Sequence, residues 1–219
     1  VAYFELGACM FLVLEVIDGE ILYQELQRQA FSETQIWQVL TDLLTVLEFI
    51  HHRQVIHRDI KPENIIRRTG DGNLVLIDFG GAKQVTQNNL TQKGTGIYTL
   101  GYAAVEQMAG YACAASDLYA LGATCVRLLT GCLVNVDDYG NIYDPIYDPI
   151  NGKWLWEEYL AKNGITISHK LTQILNKLLQ HFVRERYQSA ADVLSDMKDT
   201  IYDVSPLTLS KYSAQHEAY

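Results

Sequence analysis

The chain has 219 residues, of which 48% are hydrophobic, 20% are charged and 11% are aromatic. This composition is typical of one globular domain with a sizeable core, and it excludes a disordered or fibrous protein. Asp and Glu number 26 against 17 Lys and Arg, which gives a net charge of −9 at pH 7. The acidic balance disfavours nucleic acid as a partner, and no apolar run approaches the roughly 20 residues of a membrane span. We therefore expect a soluble, cytoplasmic protein.

The first fifty residues predict one strand and two helices. Residues 11–16 form an apolar run that predicts a buried strand, and a helix is expected soon after the turn that follows it. The clearest helix begins at Ser32, where Ser-Glu-Thr-Gln forms a capping box and apolar residues then recur every three or four positions as far as Ile50. His51 and His52 follow, and we interpret this pair as C-terminal capping rather than as a metal site.

Residues 55–80 change to brief apolar runs separated by charged stretches. The runs at 55–56, 64–66 and 74–77 predict short strands, and Asp71-Gly72 predicts a hairpin turn between the last two. Residues 81–104 lack periodicity and predict a long loop, which in a compact domain usually has a function.

Helical patterns return in the second half of the chain. Ser116 and Ser189 are predicted N-caps, Gly131 is a predicted C-cap, and an apolar stripe over 171–179 predicts a further helix. The tetrapeptide Tyr-Asp-Pro-Ile occurs twice within 143–150, which is too short for a solenoid repeat and predicts a surface insert.

The most specific pattern in the chain is a pair of polar motifs. His-Arg-Asp-Ile-Lys-Pro-Glu-Asn occupies residues 57–64, and Asp-Phe-Gly follows at 78–80. Carboxylate and amide oxygens suit Mg²⁺, which binds through one or two side chains together with substrate phosphates. Either tripeptide, His-Arg-Asp or Asp-Phe-Gly, would alone be explained as a charged or strand-ending turn. The prediction therefore depends on their order and spacing.

In this order and spacing, the motifs resemble the catalytic and magnesium-binding loops of eukaryotic-like serine/threonine protein kinases of the bacterial type. Four further segments resemble the same family. Residues 11–19 resemble its hinge strand, 99–106 the end of its activation segment, 116–122 the start of its central helix, and 186–190 its late arginine motif. The resemblance implies an α+β, protein kinase-like fold: a predominantly helical C-terminal lobe, short β-hairpins and a remnant of the N-terminal sheet.

The resemblance also implies how the chain is divided. A partial kinase domain is expected over 1–202, with 1–17 as the remnant of the small lobe and the hinge, 18–202 as the large lobe, and 203–219 as a polar tail. The family normally begins with a glycine-rich loop and a strand lysine paired with a helix glutamate, and no Gly-x-Gly-x-x-Gly occurs here. We therefore expect the kinase domain to be truncated at Val1 and the chain alone to be inactive or nearly so.

The resemblance implies an ATP-dependent kinase that acts in signalling and phosphorylates Ser or Thr of a protein substrate with Mg²⁺. Asp59 would accept or orient the substrate hydroxyl proton, and Lys61 would place positive charge near the γ-phosphate. Asn64 and Asp78 would bind Mg²⁺. Thr99 is expected to hydrogen-bond Asp59 and Lys61.

The adenine of ATP is assigned to the hinge-like segment by the same resemblance. Leu14 fits the gatekeeper position, and the Glu15 carbonyl and the Ile17 backbone would pair with the adenine edge. Ile66 would form part of the apolar floor of this pocket.

Control by phosphorylation is implied by Arg58, which directly precedes Asp59. Thr95 fits the position of the phosphate acceptor in the activation loop, and Thr91 is the competing residue. A phosphate there would form charge-assisted hydrogen bonds to Arg58 and order the loop.

Four more residues are assigned structural roles. Gly80 permits a tight bend beside the metal, and Asp117 would brace the backbone of the catalytic loop. Glu106 and Arg186 would form a buried ion pair that ties the activation segment to the last helices.

Two other functions stay open at this point. A non-enzymatic scaffold could use a kinase-like helical lobe as a binding surface, although intact Asp59, Lys61, Asn64 and Asp78 argue against it. A small-molecule phosphotransferase of related fold is weaker, because a long activation segment suits peptide substrates.

Overall fold

The α+β class is confirmed by a computed structural model, which describes residues 2–6, 9–84 and 99–198. Within these ranges the chain forms seven α-helices and eleven short strands, and none of the helices is long and apolar enough to cross a bilayer. The helices are α1 (Leu22–Arg28), α2 (Glu33–His52), α3 (Val105–Met108), α4 (Ala114–Thr130), α5 (Trp156–Lys162), α6 (His169–Leu178) and α7 (Ala190–Lys198).

The strands form small antiparallel sheets, which in the described part of the chain have two or three strands each. The three-stranded sheet has the order β3-β5-β6, and the pairs are β1-β2, β4-β7, β8-β9 and β10-β11. Their bounds are β1 (Ala2–Leu6), β2 (Cys9–Val13), β3 (Gly19–Ile21), β4 (Val55–Ile56), β5 (Ile65–Arg68), β6 (Leu74–Leu76), β7 (Lys83–Gln84), β8 (Asn135–Val136), β9 (Ile142–Tyr143), β10 (Tyr147–Asp148) and β11 (Lys153–Trp154).

Helix α2 begins and packs as its sequence predicts. The Ser32 hydroxyl accepts a hydrogen bond from the Gln35 backbone N–H, and the Gln35 side chain accepts one from the Ser32 N–H at 2.9 Å. The whole predicted stripe from Ile36 to Ile50 is buried, and α2 packs on α4 and α7. The capping box and the apolar period are therefore both confirmed.

Helix α4 lies at the centre of the core, and every residue from Ala115 to Thr130 is buried. It begins at Ala114 with Cys113 as its N-cap, so the prediction that Ser116 caps it is wrong. Ser116 instead lies one turn inside the helix, where its hydroxyl accepts from the Cys113 N–H at 3.1 Å. Gly131 ends the helix with a φ of 73°, as predicted.

Two predicted features, the strand over 11–16 and the surface insert, differ in part from the structure. Strand β2 ends at Val13, where its pairing with Ala2 ends, so the predicted buried strand does not continue to residue 16. The side chains of Leu14 and Val16 are 61% and 92% exposed. In the repeated tetrapeptide Tyr143 and Ile150 are exposed, as expected for a surface insert, whereas Ile146, which closes the first copy, is completely buried.

The predicted loop and helix end also need correction. The loop over 81–104 contains β7, which pairs with β4. Capping is confirmed for His52, whose Nδ1 lies 2.8 Å from the Glu48 carbonyl oxygen. It is wrong for His51, whose Nε2 instead lies 2.8 Å from Asp117 Oδ2.

Substitution of Gly122 by Ala is expected to lower the free energy of unfolding of the protein by about 1–3 kcal/mol. The added Cβ would lie 2.8 Å from Leu178 Cβ, so α4 and α6 would have to separate. Urea unfolding measures the effect, with Gly70→Ala as the matched control because a Cβ at that position would have nothing within 4 Å of it. Equal unfolding midpoints for the two variants would contradict the expected steric clash.

Candidate active site

The centre of the site is the Asp59 carboxylate, to which three other polar side chains donate. Thr99 Oγ1 donates to Asp59 Oδ1 at 2.6 Å, and Lys61 Nζ lies 2.9 Å from Asp59 Oδ2. Asn64 Nδ2 donates both to Asp59 Oδ2 and to the Asp59 carbonyl oxygen, each at 2.8 Å. Lys61 also donates to Thr99 Oγ1 at 3.0 Å, so both hydrogen bonds predicted for Thr99 are confirmed.

These contacts fix the charge state of Asp59. Partial burial favours the neutral form of the carboxyl, but hydrogen bonds from Lys61, Thr99 and Asn64 and the charge of Lys61 outweigh it and lower the pKa of Asp59 below its ordinary value. Asp59 is therefore a carboxylate of low basicity at neutral pH. Such a group is suited to accepting a hydrogen bond from a hydroxyl and orienting it.

The backbone that precedes Asp59 is held in place by a residue of α4. The completely buried Asp117 accepts from the His57 N–H at 2.9 Å and from the Arg58 N–H at 2.8 Å. Arg58 has a φ of 72°, in the left-handed region that a residue with a side chain rarely adopts. Asp117 therefore stabilises a strained backbone that directs Asp59, which is the bracing contact predicted from the sequence.

The β5–β6 hairpin brings Asn64 and Asp78 close together in the fold. Asn64 directly precedes β5, and its carbonyl oxygen accepts from the Ile77 N–H at 2.9 Å. Asp78 follows Ile77 in a left-handed conformation with a φ of 61°. The two proposed metal ligands thus lie at the same end of one hairpin, fourteen positions apart in the chain.

The turn after Asp78 is closed by its own side chain. Asp78 Oδ1 accepts from the Gly80 N–H at 3.1 Å, and a Cβ on Gly80 would lie only 3.0 Å from that oxygen. Phe79 packs edge-on against His57 with the ring centroids 4.7 Å apart. Burial, the largest influence, lowers the pKa of His57, so its ring is neutral and serves as packing between the two loops.

The hinge-like segment lies beside strand β5. The Thr69 N–H donates to the Asp18 carbonyl oxygen at 2.9 Å, and Glu15 Oε1 lies 3.8 Å from Arg68 Nη2. Ile66, half-buried, pairs across the sheet with Ile21. Leu14 is mostly exposed and Ile17 half-exposed.

A close approach of two strands explains the glycine that follows the hinge. A Cβ on Gly19 would lie 2.3 Å from the Arg67 carbonyl oxygen and 2.6 Å from Ile66 Cγ2. Because any side chain here would push β3 away from β5, Gly19 keeps the hinge-like segment against the strand that carries Ile66.

The predicted ion pair between Glu106 and Arg186 is confirmed, and the contact is bidentate. Arg186 Nη1 and Nη2 donate to the two carboxylate oxygens of Glu106 at 2.7 and 3.0 Å, and the arginine side chain is 1% exposed. Burial raises the pKa of Glu106, but hydrogen bonds from Arg186 and Ser116 outweigh it and lower the pKa below its ordinary value.

Several contacts around the site were not predicted from the sequence. The His51 ring shares the Asp117 carboxylate with the catalytic loop, and Gln107 Nε2 donates to the Arg58 carbonyl oxygen at 2.6 Å. Thr124 Oγ1 donates to the Ile60 carbonyl oxygen at 3.3 Å. Partners separated by 49 to 66 positions give no local signal in the sequence.

The residues proposed for phosphorylation control are only partly described. Thr91 and Thr95 lie outside the described residues. The buried Arg58 side chain hydrogen-bonds the Gly81 carbonyl oxygen, so it contacts the segment that leads towards them.

Comparisons with known proteins agree on one family. A family model described as a protein kinase domain matches residues 1–197. The chain is 37% identical over 210 residues to serine/threonine-protein kinase B of Synechocystis sp., covering 92% of this chain and 34% of that protein. Identity is 38% over 189 residues with serine/threonine-protein kinase F of Synechocystis sp., covering 84% of this chain and 35% of that protein. The chain is 33% identical over 211 residues to serine/threonine-protein kinase PknA of Nostoc sp., and the match covers 94% of this chain and 35% of that protein. The chain spans about a third of the length of these relatives.

Proposed function

The chain belongs to the protein kinase domain family, and from this premise we propose that its site transfers the γ-phosphate of Mg-ATP to a Ser or Thr hydroxyl of a protein substrate. The observation that carries the proposal is the set of three donors on the Asp59 carboxylate. Phosphoryl transfer depends on aligning the attacking oxygen and on stabilising charge on the transferred group. Asp59 would align the hydroxyl, and Lys61, 2.9 Å from Asp59 Oδ2, would carry positive charge to the transferred phosphate.

Thr99 would hold these two groups in register. Its hydroxyl accepts from Lys61 and donates to Asp59, so the ammonium group and the carboxylate cannot turn apart without losing two hydrogen bonds. A fixed spacing of this kind is what preorganised electrostatic catalysis requires.

Asn64 and Asp78 fit the cation that ATP would bring. Both amide hydrogens of Asn64 are used by Asp59, which leaves the amide oxygen for a metal ion. One carboxylate oxygen of Asp78 is used by the Gly80 N–H, which leaves the other. Two hard oxygen donors are what Mg²⁺ takes from a protein when substrate phosphates complete its coordination. When bound, Mg²⁺ would neutralise phosphate charge.

We place the adenine at the hinge-like segment. Residues 14–17 lie beside β5, and Gly19 keeps them against the strand that carries Ile66. The Glu15 carbonyl and the Ile17 backbone would bind the adenine edge, Leu14 would occupy the gatekeeper position and Ile66 would contribute an apolar surface under the ring.

Regulation by phosphorylation remains part of the proposal. Thr95, or Thr91 in its place, would accept a phosphate that pairs with Arg58. Arg58 lies beside Asp59 and hydrogen-bonds the Gly81 carbonyl oxygen. Such a phosphate would therefore connect the activation segment with the loops that carry Asp59 and Asp78.

Nucleotide binding gives the most direct test of the metal site. In the complete gene product, Asp78→Asn is expected to weaken Mg²⁺-dependent ATP binding about tenfold, because one charged metal ligand becomes neutral. Calorimetric titration with ATP at several Mg²⁺ concentrations measures this. Asp71→Asn is the matched control, since Asp71 lies in the exposed turn of the same hairpin. Unchanged magnesium dependence in Asp78→Asn would disprove the metal assignment.

For the 219-residue polypeptide alone, we propose little or no activity. It contains no glycine-rich loop and no assigned strand lysine to cover the phosphates. Loss of one preorganised contact of this kind commonly costs about 10²–10³ in rate. Micromolar Mg-ATP binding and phosphorylation of a basic protein by residues 1–219, both abolished by Asp59→Asn, would contradict this. The alternative is a binding scaffold without catalysis, and phosphoryl transfer by the complete gene product would exclude it.

A further inference from the structure

A cavity of about 560 Å³ lies where the first turns of α2 meet the start of α6 and the second half of α7. Its apolar surface comes from Trp37 of α2 and from Leu194 and Met197 of α7. Each of these three side chains packs against the core but is only half-buried. Concave apolar surfaces of this size accommodate apolar ligands or the side chains of another segment.

Hydrogen bonds and an ion pair hold the walls of this cavity together. Glu33 of α2 accepts from Trp37 Nε1 at 3.1 Å and from the Ser168 N–H, at the start of α6, at 2.8 Å. Lys170 Nζ of α6 lies 2.6 Å from Asp196 Oδ1 of α7. The three helices are therefore connected around the cavity before anything binds in it, which lowers the entropic cost of binding.

The described part of the chain ends at the edge of this cavity. Lys198, the last described residue of α7, is itself a lining residue, and residues 199–219 lie outside the described residues. An extended chain spans at most about 3.3–3.6 Å per residue, so Ile201 lies within about 11 Å of Lys198. The segment after α7 is thus held beside the cavity at a high effective concentration.

The sequence beyond α7 continues the apolar pattern of the helix face that lines the cavity. Leu194 and Met197 are three positions apart, and Ile201 and Val204 follow at steps of four and three. This spacing is typical of one face of a helix. Pro206 limits the pattern, because the residue before a proline disfavours the helical conformation. A helix with this pattern would present Ile201 and Val204 on the face that carries the two lining residues of α7.

The charges around the cavity favour the same segment. Residues 199–205 contain two aspartates and neither lysine nor arginine. Lys170 and Lys198 line the cavity, and Glu33, which also lines it, is engaged by Trp37 and Ser168. A lysine-containing rim around an apolar surface is complementary to an apolar segment that carries aspartates.

We propose that this cavity binds the segment of the same chain that follows α7, through the side chains of Ile201 and Val204. The contact would fasten the polypeptide beyond α7 to the first turns of α2. Trp37 lies about 21 Å along α2 from His51, the residue that contacts Asp117 below the catalytic loop. An anchor at this distance leaves Asp59 accessible to a substrate. This role goes beyond the proposed function and does not depend on it.

Hydroxyl-radical footprinting of the 219-residue chain tests this role. Trp37 and Met197 carry readily oxidised side chains, and mass spectrometry measures the oxidation of each one separately. Ile201→Asp combined with Val204→Asp is expected to raise the oxidation rates of Trp37 and Met197 at least about threefold, because aspartates would not stay in an apolar cavity. Ile201→Ala combined with Val204→Ala should repeat this result without added charge.

Two controls separate loss of the contact from a general effect on the protein. Leu209→Asp places the same charge beyond Pro206, outside the apolar pattern, and should leave the rate of Trp37 close to that of the wild type. Trp154, half-buried and hydrogen-bonded to Tyr119 in another part of the fold, should be oxidised at the same rate in every variant.

Several results would overturn the proposal. These are wild-type oxidation of Trp37 in the Ile201 and Val204 double variants, and an equal rise in Leu209→Asp. Protection of Trp37 that increases with protein concentration would assign the cavity to a second copy of the chain. Protection that disappears when bound lipid is extracted from the wild type would assign it to a lipid. None of these readouts involves nucleotide binding or phosphoryl transfer, so they stand whether or not the proposed function holds.

Discussion

Replacement of Asp59 by Asn in the complete gene product is expected to reduce the rate of phosphoryl transfer by roughly 10²–10⁴. The amide keeps the size of the side chain but removes the charge that orients the substrate hydroxyl. It also turns one acceptor oxygen into a donor that faces Lys61 and Asn64, the two groups that now donate to Asp59 Oδ2. The loss should lie in kcat, since the residue acts on the reacting hydroxyl.

Rapid-quench measurement of transfer from labelled ATP tests this expectation, and nucleotide binding supplies the control. The Kd for Mg-ATP should stay within about twofold, because Asp59 is not assigned to the metal. Thr99 offers a graded comparison: Thr99→Ser keeps the hydroxyl between Lys61 and Asp59, and Thr99→Val removes it at almost constant volume. A fully active Asp59→Asn protein, or equal rates for Thr99→Ser and Thr99→Val, would contradict the assigned roles.

Replacement of Arg186 by Ala is expected to lower the free energy of unfolding of the protein by about 3–5 kcal/mol, comparable to the stability of many whole domains. The change would leave the partly buried Glu106 carboxylate without its cation, although Ser116 would still donate to it. Arg186 also donates to the carbonyl oxygens of Gln180 and His181 at 2.6 and 2.8 Å, and both would lose a donor.

Denaturant unfolding of a double-mutant cycle measures the coupling between the two charges. Glu106→Gln combined with Arg186→Met should cost less than the sum of the single changes, because it leaves no unpaired buried charge. Strictly additive free energies of unfolding would show that the pair is not coupled. Lys153→Met, which breaks an exposed ion pair with Glu158, should change stability by less than about 1 kcal/mol.

The same pair predicts how stability depends on pH. Because the pKa of Glu106 in the folded protein lies below its ordinary value of 4.5, the unfolded state takes up a proton first as the solution is acidified. The stabilisation of the folded state by Glu106 is therefore fully present above about pH 4.5, and it is lost as the pH falls through the folded-state pKa of Glu106. Between pH 6 and pH 3, the free energy of unfolding should fall less steeply for Glu106→Gln than for the wild type. Parallel declines would contradict this.

Local signals were sufficient for the parts of the fold that are determined within a few residues. The start of α2 at Ser32 follows from a capping box that spans four positions, and the end of α4 at Gly131 follows from a left-handed glycine. The β5–β6 hairpin likewise follows from its Asp71-Gly72 turn. These elements were predicted correctly because neighbouring residues alone specify them.

Contacts between distant positions could not be predicted in this way. His51 ends a helix, which suggested capping, yet its ring binds Asp117, 66 positions away. Ile146 and Ile150 close identical tetrapeptides, and only tertiary packing decides that the first is buried. The grouping of Asp59, Lys61, Asn64 and Thr99 came from family resemblance, since no periodicity relates residues 59 and 99.

The left-handed backbone at Arg58 has a consequence for the order of folding. Its stabilising partner, Asp117, is 59 positions away on α4, so the strained peptide gains its compensation only after the central helix has docked. A chain that has formed α2 and the β5–β6 hairpin, but not yet α4, would therefore contain a disorganised catalytic loop. Organisation of the loop that carries Asp59 should accordingly follow the docking of α4 rather than precede it.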